Sequence, residues 1–261
     1  MTFHFDLTEI AIFFAILLRL SVVLFVLPIF NSRQVPHAFK ACISLGLSLM
    51  LYPLLRETVS PISLEPFALV PLVMGELVFA IVLSLSVTLI LSAFQMAGEF
   101  INFEMGFGFA QVVDPQNGTQ TMLFSMWFQL LALMLFLSMN GHHFLLKSVV
   151  ESFHTLPIGA FALDQALYRS IIALSGQLFI IAIKLSSPVL IALVVTQIGL
   201  GLMSKFAPQL NILMTSFPLT IFVGLVFMSF SVLIWGTSME HVTKDLFLFL
   251  GALTGEKPPG G

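Results

Sequence analysis

An all-α, membrane-associated fold is what the sequence predicts, and three observations carry it. Hydrophobic residues make up 58% of the 261 residues and charged residues only 9%, against about 25% charged in a soluble domain, and the mean hydropathy is +1.06. Several apolar runs reach the roughly 20 residues that a helix needs to cross a hydrocarbon core. Two pairs of these runs are joined by short connections, so the chain is expected to contain two helical hairpins. The net charge of -3 comes from few groups and no basic cluster is present, which argues against nucleic acid and anionic lipid surfaces as partners.

The elements follow in order. Ile10 to Phe30 is long enough to span, and Asp6 and Glu9 precede it with no Lys or Arg, which argues against a cleaved secretion signal. Ala41 to Leu55 is shorter and stops near Pro53. It contains Cys42, the single cysteine, which has no intrachain partner and is expected to be a small core residue. Phe67 to Ala97 and Met122 to Met139 form the first candidate hairpin, around a loop from Gly98 to Gln120. Phe144 to Phe153 is amphipathic, with Leu145, Leu146, Val149, Val150 and Phe153 opposite Lys147 and Glu151, and Leu156-Pro157-Ile158-Gly159 ends it. Ile171 to Leu202 and Ile212 to Trp235 form the second hairpin, joined by Met203 to Asn211. Val242 to Leu253 is again amphipathic rather than spanning, and Glu256 to Gly261 reads as a disordered tail. The coarse expectation is six hydrophobic helices with no soluble domain.

The loop from Gly98 to Gln120 is the most informative stretch. Gly98, Gly106, Gly108 and Gly118 permit positive φ or close approach, and Asp114-Pro115 disfavours helix at Asp114. Its side chains are not those of a solvated linker: Phe100, Phe103, Met105, Phe107, Phe109, Val112 and Val113 are large and apolar, so the segment must bury itself in protein or fill a hole. Asn117-Gly118-Thr119 fits a glycosylation pattern but is read as a turn.

Arg19, Glu76 and Lys184 lie well inside apolar runs, where a central charge costs at least about 2.5–3.5 kcal/mol. Each needs a partner, water, or a way to snorkel. Glu76 pairs with Arg19 or Lys184 between packed helices, contacts another subunit, or belongs to a proton relay. The distribution of basic residues gives no clean orientation: with an outside N-terminus, Arg33, Lys40 and Lys205 fall inside, while Arg56, Lys147, Arg169, Lys244 and Lys257 fall outside. Such ambiguity follows either from the small sample of ten basic residues or from helices that do not sit in lipid as ordinary spans. His142-His143 and His154 do not make a metal set, since adjacent histidines on a helix point apart and no Cys or nearby carboxylate completes a shell. The sequence holds no H-E-x-x-H, G-x-S-x-G or P-loop pattern, so metalloprotease, hydrolase and nucleotide-driven chemistries lack their minimal residues. No cofactor and no catalysis are expected.

Gly98-Glu99, Met105-Gly106, Phe109-Ala110 and Asp114-Pro115, followed by Asn140-Gly141-His142, resemble the FliR family of flagellar biosynthesis proteins. Gly199-Leu200-Gly201-Leu202, Ala207-Pro208-Gln209, Asn211 and Phe217-Pro218-Leu219 continue the resemblance in the same order, and Arg19, Pro28, Arg33 and Val35-Pro36 extend it toward the start. The resemblance implies a subunit of a type III secretion export gate, the flagellar one rather than the injectisome, similar to a fusion of the smaller subunits FliP and FliQ. Residues 1–160 would be the FliP-like part, 161–253 the FliQ-like hairpin and 254–261 a flexible tail. Its kinked hairpins would stand in a helical assembly with FliP-like and FliQ-like chains, in the bacterial inner membrane at the flagellar basal body and raised toward the periplasm.

By the same resemblance, Gly106, Phe107, Gly108, Phe109, Ala110, Gln111, Val112 and Val113 would plug the channel through which unfolded proteins are exported, with Asp114, Pro115, Asn117 and Gly118 returning the chain. Lys205, Pro208, Gln209 and Asn211 would face the base of the assembly, near FlhA-like and FlhB-like proteins. The family often has arginine at the position of Lys205, and lysine weakens a bidentate contact there. A reading from another class, a secondary transporter with a midplane site, rests on the broken helices and the buried charges.

Overall fold

A computed structural model describes residues 7–27, 36–60, 62, 65–107, 123–161, 165–206 and 212–254. Among them the regular structure is helical: α1 (Leu7–Val26), α2 (His37–Leu55), α3 (Pro66–Glu104), α4 (Leu123–Ser138), α5 (Gly141–Thr155), α6 (Gln165–Phe206) and α7 (Ile212–Thr254). The six expected apolar helices are α1 to α4, α6 and α7, and α5 is the amphipathic segment between the hairpins. Among the described residues, four helices are long and apolar enough to cross a membrane, or up to six spans result if each of two bent pairs counts as one.

Two boundaries differ from the sequence reading. The first is α3, which runs on through Gly98 to Glu104, so these residues are helix and not loop. A Cβ at Gly98 would collide with the Phe128 ring; the glycine admits that ring to the helix surface, and packing outweighs its roughly 1 kcal/mol helix penalty. In the second case, α7 includes 242–253 without interruption. Trp235, Met239, Val242, Leu246 and Leu250 are all buried, a stripe at steps of four, three, four and four residues that carries one buried face through the amphipathic stretch.

A third difference concerns Cys42, which is exposed. The buried residues of α2 include Lys40, Ser44 and Ser48, while Phe39, Leu45, Leu49, Met50 and Leu54 face outward. The inward serines stay satisfied by bonding back along the helix, Ser44 Oγ to Ala41 O at 2.9 Å and Ser48 Oγ to Ser44 O at 2.7 Å. An inward polar stripe with an outward apolar face suits a helix covered by lipid or another apolar chain, not by water.

The chain divides into two compact units. One gathers α1, α2, α3 up to Thr88, α5, α6 up to Ala173 and α7 from Lys244. Its core includes Ile16, Leu20, Phe79, Leu83, Leu145 and Val149. The other takes Leu89–Met139 and Leu174–Thr243, and its core is centred on Trp235, whose ring lies 4.2 Å from that of Phe128 and 6.2 Å from that of Phe94. The indole Nε1 donates to Leu185 O at 3.3 Å. Nearby, Pro188 cannot donate to Lys184 O, and Ser187 Oγ takes over that carbonyl at 3.0 Å. The helix therefore tolerates its internal proline without an orphaned acceptor.

Candidate functional site

The first cluster is built on Arg19. It lies on the face of α1 shared by Ala15, Ile16, Leu20 and Val23, all buried, so the helical period alone drives a guanidinium into the core. Glu76 of α3 meets it there. Arg19 Nε donates to Glu76 Oε2 and Nη2 to Oε1, both at 2.7 Å, and both side chains are fully buried. Nη1 donates to Ser152 O at 3.0 Å, Ser152 Oγ at 3.2 Å and Leu156 O at 3.1 Å, and Nη2 also reaches Pro157 O at 3.4 Å.

The five N–H donors of the guanidinium fork thus all have acceptors. Ser152 O already accepts the Leu156 N–H at 2.9 Å at the C-terminal end of α5, whereas Leu156 O lies just past the helix, so the cation satisfies a carbonyl that the helix end leaves open and sits at the negative pole of its dipole. Phe153 and Phe79 flank the guanidinium carbon at 4.8 and 5.3 Å. The carboxylate is completed by Gly159 N–H, which donates to Oε1 at 2.9 Å. Gly159 has φ 76°, and a Cβ on Gly75 would sit 2.6 Å from Gly159 O. Two glycines therefore let the segment after α5 descend onto α3 until its backbone reaches Glu76.

The second cluster is the root of the glycine-rich segment. At the end of α3, Met105 is fully buried, and a Cβ on Gly224 of α7 would fall 2.7 Å from its Cε. Gly106 has φ 92°, and a Cβ there would meet Phe217 Cε1 at 2.8 Å. Only glycine suits both that backbone and that clearance. The last carbonyl of α3 and the one just past it are reached from α6 and α7: Gln197 Nε2 donates to Glu104 O at 3.3 Å, and Thr220 Oγ1 lies 3.3 Å from Met105 O.

Of the residues singled out in the sequence, Arg19 and Glu76 come together, whereas Lys184 is exposed on α6. Lys184 is therefore not buried within this chain, because its helix position lies opposite the inward Ala182, Leu185 and Ser186; the alternative of an inter-subunit contact stays open to it. Lys205 is exposed at the end of α6, and Gly106 and Phe107 are half-buried. Gly108, Phe109, Ala110, Gln111, Val112, Val113, Asp114, Pro115, Asn117 and Gly118 lie outside the described residues, as do Pro208, Gln209 and Asn211. The His142 and His143 rings do not point apart; their centroids are 4.2 Å from each other. Among the described residues no three His, Cys, Asp or Glu side chains form a group able to hold a metal ion.

Sequence reasoning missed Ser152, Gly75, Gly159, Gln197, Thr220 and Gly224. Gly75 directly precedes Glu76 and Gly159 closes the Leu-Pro-Ile-Gly turn, which were the available signals for a close approach. Gln197 and Thr220 carried none.

Residues 10–246 match the model of a family described as bacterial export proteins, family 1. The chain is similar to the flagellar biosynthetic protein FliR of Escherichia coli strain K12, with 29% identity over 252 residues that cover 97% of this chain and 96% of that one. It is similar to FliR of Bacillus subtilis strain 168 at 31% over 222 residues, covering 82% and 83%, and to FliR of Aquifex aeolicus strain VF5 at 27% over 230 residues, covering 88% of each.

Proposed function

We propose a function from one premise: the chain belongs to the bacterial export proteins, family 1. It is a component of the flagellar export apparatus, and we assign it the role of a core export-gate subunit whose segment Gly106 to Val113 plugs the channel for unfolded flagellar proteins. The observation that carries the plug is the root of that segment. Gly106 turns out of α3 at φ 92°, and the residues that follow are apolar and glycine-rich. Apolar side chains on a pliable backbone exclude water from a closed constriction and yield to a polypeptide without specific bonds. This role needs no catalysis.

Helix length supports a place partly outside the bilayer. The helices α3, α6 and α7 have 39, 42 and 43 residues, so each is about 60 Å along its path, twice the roughly 30 Å of hydrocarbon. We place the subunit in the bacterial inner membrane at the flagellar basal body, with its helices raised toward the periplasm. Residues 1–160 act as the FliP-like part and 161–253 as the FliQ-like hairpin. FliP-like and FliQ-like chains are its proposed neighbours, with FlhA-like and FlhB-like proteins near Lys205, Pro208, Gln209 and Asn211. The Arg19–Glu76 pair serves the fold of the subunit rather than solute binding, because its donors are already used inside the chain.

Deleting Gly106 to Val113 is expected to leave co-purification with the neighbouring subunits intact while membranes containing the complex leak ions and small dyes. Permeability equal to that of the parent would overturn the plug. A second expected result concerns α6, where Ile183, Ile191, Val195, Ile198 and Leu202 are exposed and nothing lies within 4 Å of a Cβ at Gly199 or Gly201. Small residues on an apolar helix face let another helix approach closely. Gly199→Leu and Gly201→Leu should raise intrinsic helix stability by up to about 1 kcal/mol, yet reduce recovery of FliQ-like partners in pull-downs. Full recovery would show that this face meets lipid.

A further inference from the structure

We infer that the outward face of α6 around Lys184 docks an apolar helix of a neighbouring subunit, one that carries an Asp or Glu side chain opposite the ammonium; the inference rests on the export-gate reading above and supplies the chemistry of one of its interfaces. Lys184 lies near the middle of the 42-residue α6, roughly 30 Å along the helix from either end. No other Asp, Glu, Lys or Arg stands between Arg169 and Lys205. Lys184 is exposed, and among the described residues its side chain has no hydrogen-bonding or ionic partner. The fold thus leaves one full charge unanswered, in contrast to Arg19, whose donors are used inside the chain.

The surroundings of that charge decide what can answer it. At 3.6 residues per turn, Ile180, Ile191, Val195 and Ile198 fall within about 40° of Lys184 around the helix, and all four are exposed. The ammonium is set inside an apolar face, not at its rim. Water would leave those side chains uncovered. Acyl chains would cover them but leave the ammonium bare, and lipid headgroups serve lysines near the ends of a spanning helix, not in the middle of its apolar face. A helix with a carboxylate among apolar residues meets both demands at once. Room for it exists beside the lysine. Ser187 is small and turns its hydroxyl back onto Lys184 O at 3.0 Å, and nothing lies within 4 Å of a Cβ at Gly176. Small residues on an apolar face admit a second helix closely. Once covered, the two charges attract each other far more strongly than they would in water.

The test exposes membranes holding the assembled gate to dicyclohexylcarbodiimide, an apolar reagent that activates a carboxylate and lets a touching amine capture it as an amide. Mass spectrometry of the digest is expected to find Lys184 joined to an Asp or Glu in an apolar stretch of another subunit. Lys184→Met should lower recovery of that subunit in pull-downs at least about tenfold, because its carboxylate is then buried alone, while Lys184→Arg keeps recovery at the parental level. Accumulation of the Lys184→Met chain itself should equal that of the parent. Lys184→Glu combined with lysine in place of the joined carboxylate should restore recovery. Coupling of Lys184 to lipid alone would overturn this interface, and so would unchanged recovery in Lys184→Met or lower accumulation of that chain. Modification of Lys184 by a water-soluble amine reagent as readily in the assembled gate as in denatured protein would overturn it too. If neighbouring subunits are absent from pull-downs of the parent chain, the export-gate reading falls; if they are present and Lys184 stays unjoined, that reading stands and only the Lys184 interface falls.

Discussion

Replacing Glu76 by Leu is expected to remove most of the folded chain from the membrane, and replacing Arg19 by Leu to do the same. Both side chains are fully buried, so either single change leaves one uncompensated charge in the interior, which costs about 3–5 kcal/mol. That is a large part of the total stability of about 5–15 kcal/mol typical of a folded protein. Glu76→Gln should be nearly as damaging, because it keeps an acceptor near Gly159 N–H but does not neutralise the guanidinium. The informative variant is Arg19→Leu with Glu76→Leu. With no charge left, the double change should be milder than either single one. It should still fall short of the parent, because Leu156 O and Pro157 O lose the donor that Arg19 supplies. Accumulation in membranes and resistance to trypsin in detergent would be compared across the parent and the four variants. A double variant whose loss equals the sum of the two single losses would show that the pair is not coupled.

That cluster also shows how far the sequence was legible. Arg19 and Glu76 stood out because a charge in an apolar run demands a partner, yet Lys184 was an equal candidate. What decided between them is the position of each residue on its helix: Arg19 shares the buried face of α1, whereas Lys184 shares the exposed face of α6. The remaining acceptors, Ser152 O, Leu156 O and Pro157 O, leave no trace in a sequence, since every residue has a carbonyl. The helices themselves were readable from apolar runs and from the Leu-Pro-Ile-Gly break. Their ends were not where a tertiary neighbour intervened. Gly98 looked like the start of a loop because glycine is a poor helix former, but the Phe128 ring needs that bare backbone, and the helix continues through it. Cys42 was placed inward on the habits of soluble proteins, which fail for a helix that turns serines to its interior and leucines outward. Enclosure of the glycine-rich segment was expected from its large apolar side chains, of which Met105 is buried but Phe103 is exposed on α3, whereas a channel as the enclosure came only from family resemblance.

Gly75→Ala is expected to be a costly change for a single added methyl. Its Cβ would stand 2.6 Å from the carbonyl oxygen of Gly159 and 2.9 Å from the carbonyl carbon, which are backbone atoms and cannot rotate away. The segment after α5 must then lift from α3. Lifting it withdraws Gly159 N–H from Glu76 and moves Leu156 O and Pro157 O away from Arg19, so a local clash opens a buried ion pair. Overpacking of this kind costs about 1–3 kcal/mol, and the exposed carboxylate and guanidinium contacts add to it. Gly159→Val attacks the same contact from the other side, with a Cβ 2.8 Å from Leu72 Cα and a β-branched residue forced to φ 76°, a backbone strain of about 1–3 kcal/mol more. Gly159→Asn separates the two causes: asparagine tolerates the left-handed region but keeps the clash, so it should fall between the parent and valine. Gly46→Ala is the control, since nothing lies within 4 Å of its Cβ and the change should stabilise α2 by up to about 1 kcal/mol. Thermal unfolding in detergent would rank the four variants. If Gly75→Ala behaved like Gly46→Ala, the close approach would not be what holds the α5 terminus on Arg19 and Glu76, and the pair would have to be positioned by α1 and α3 alone.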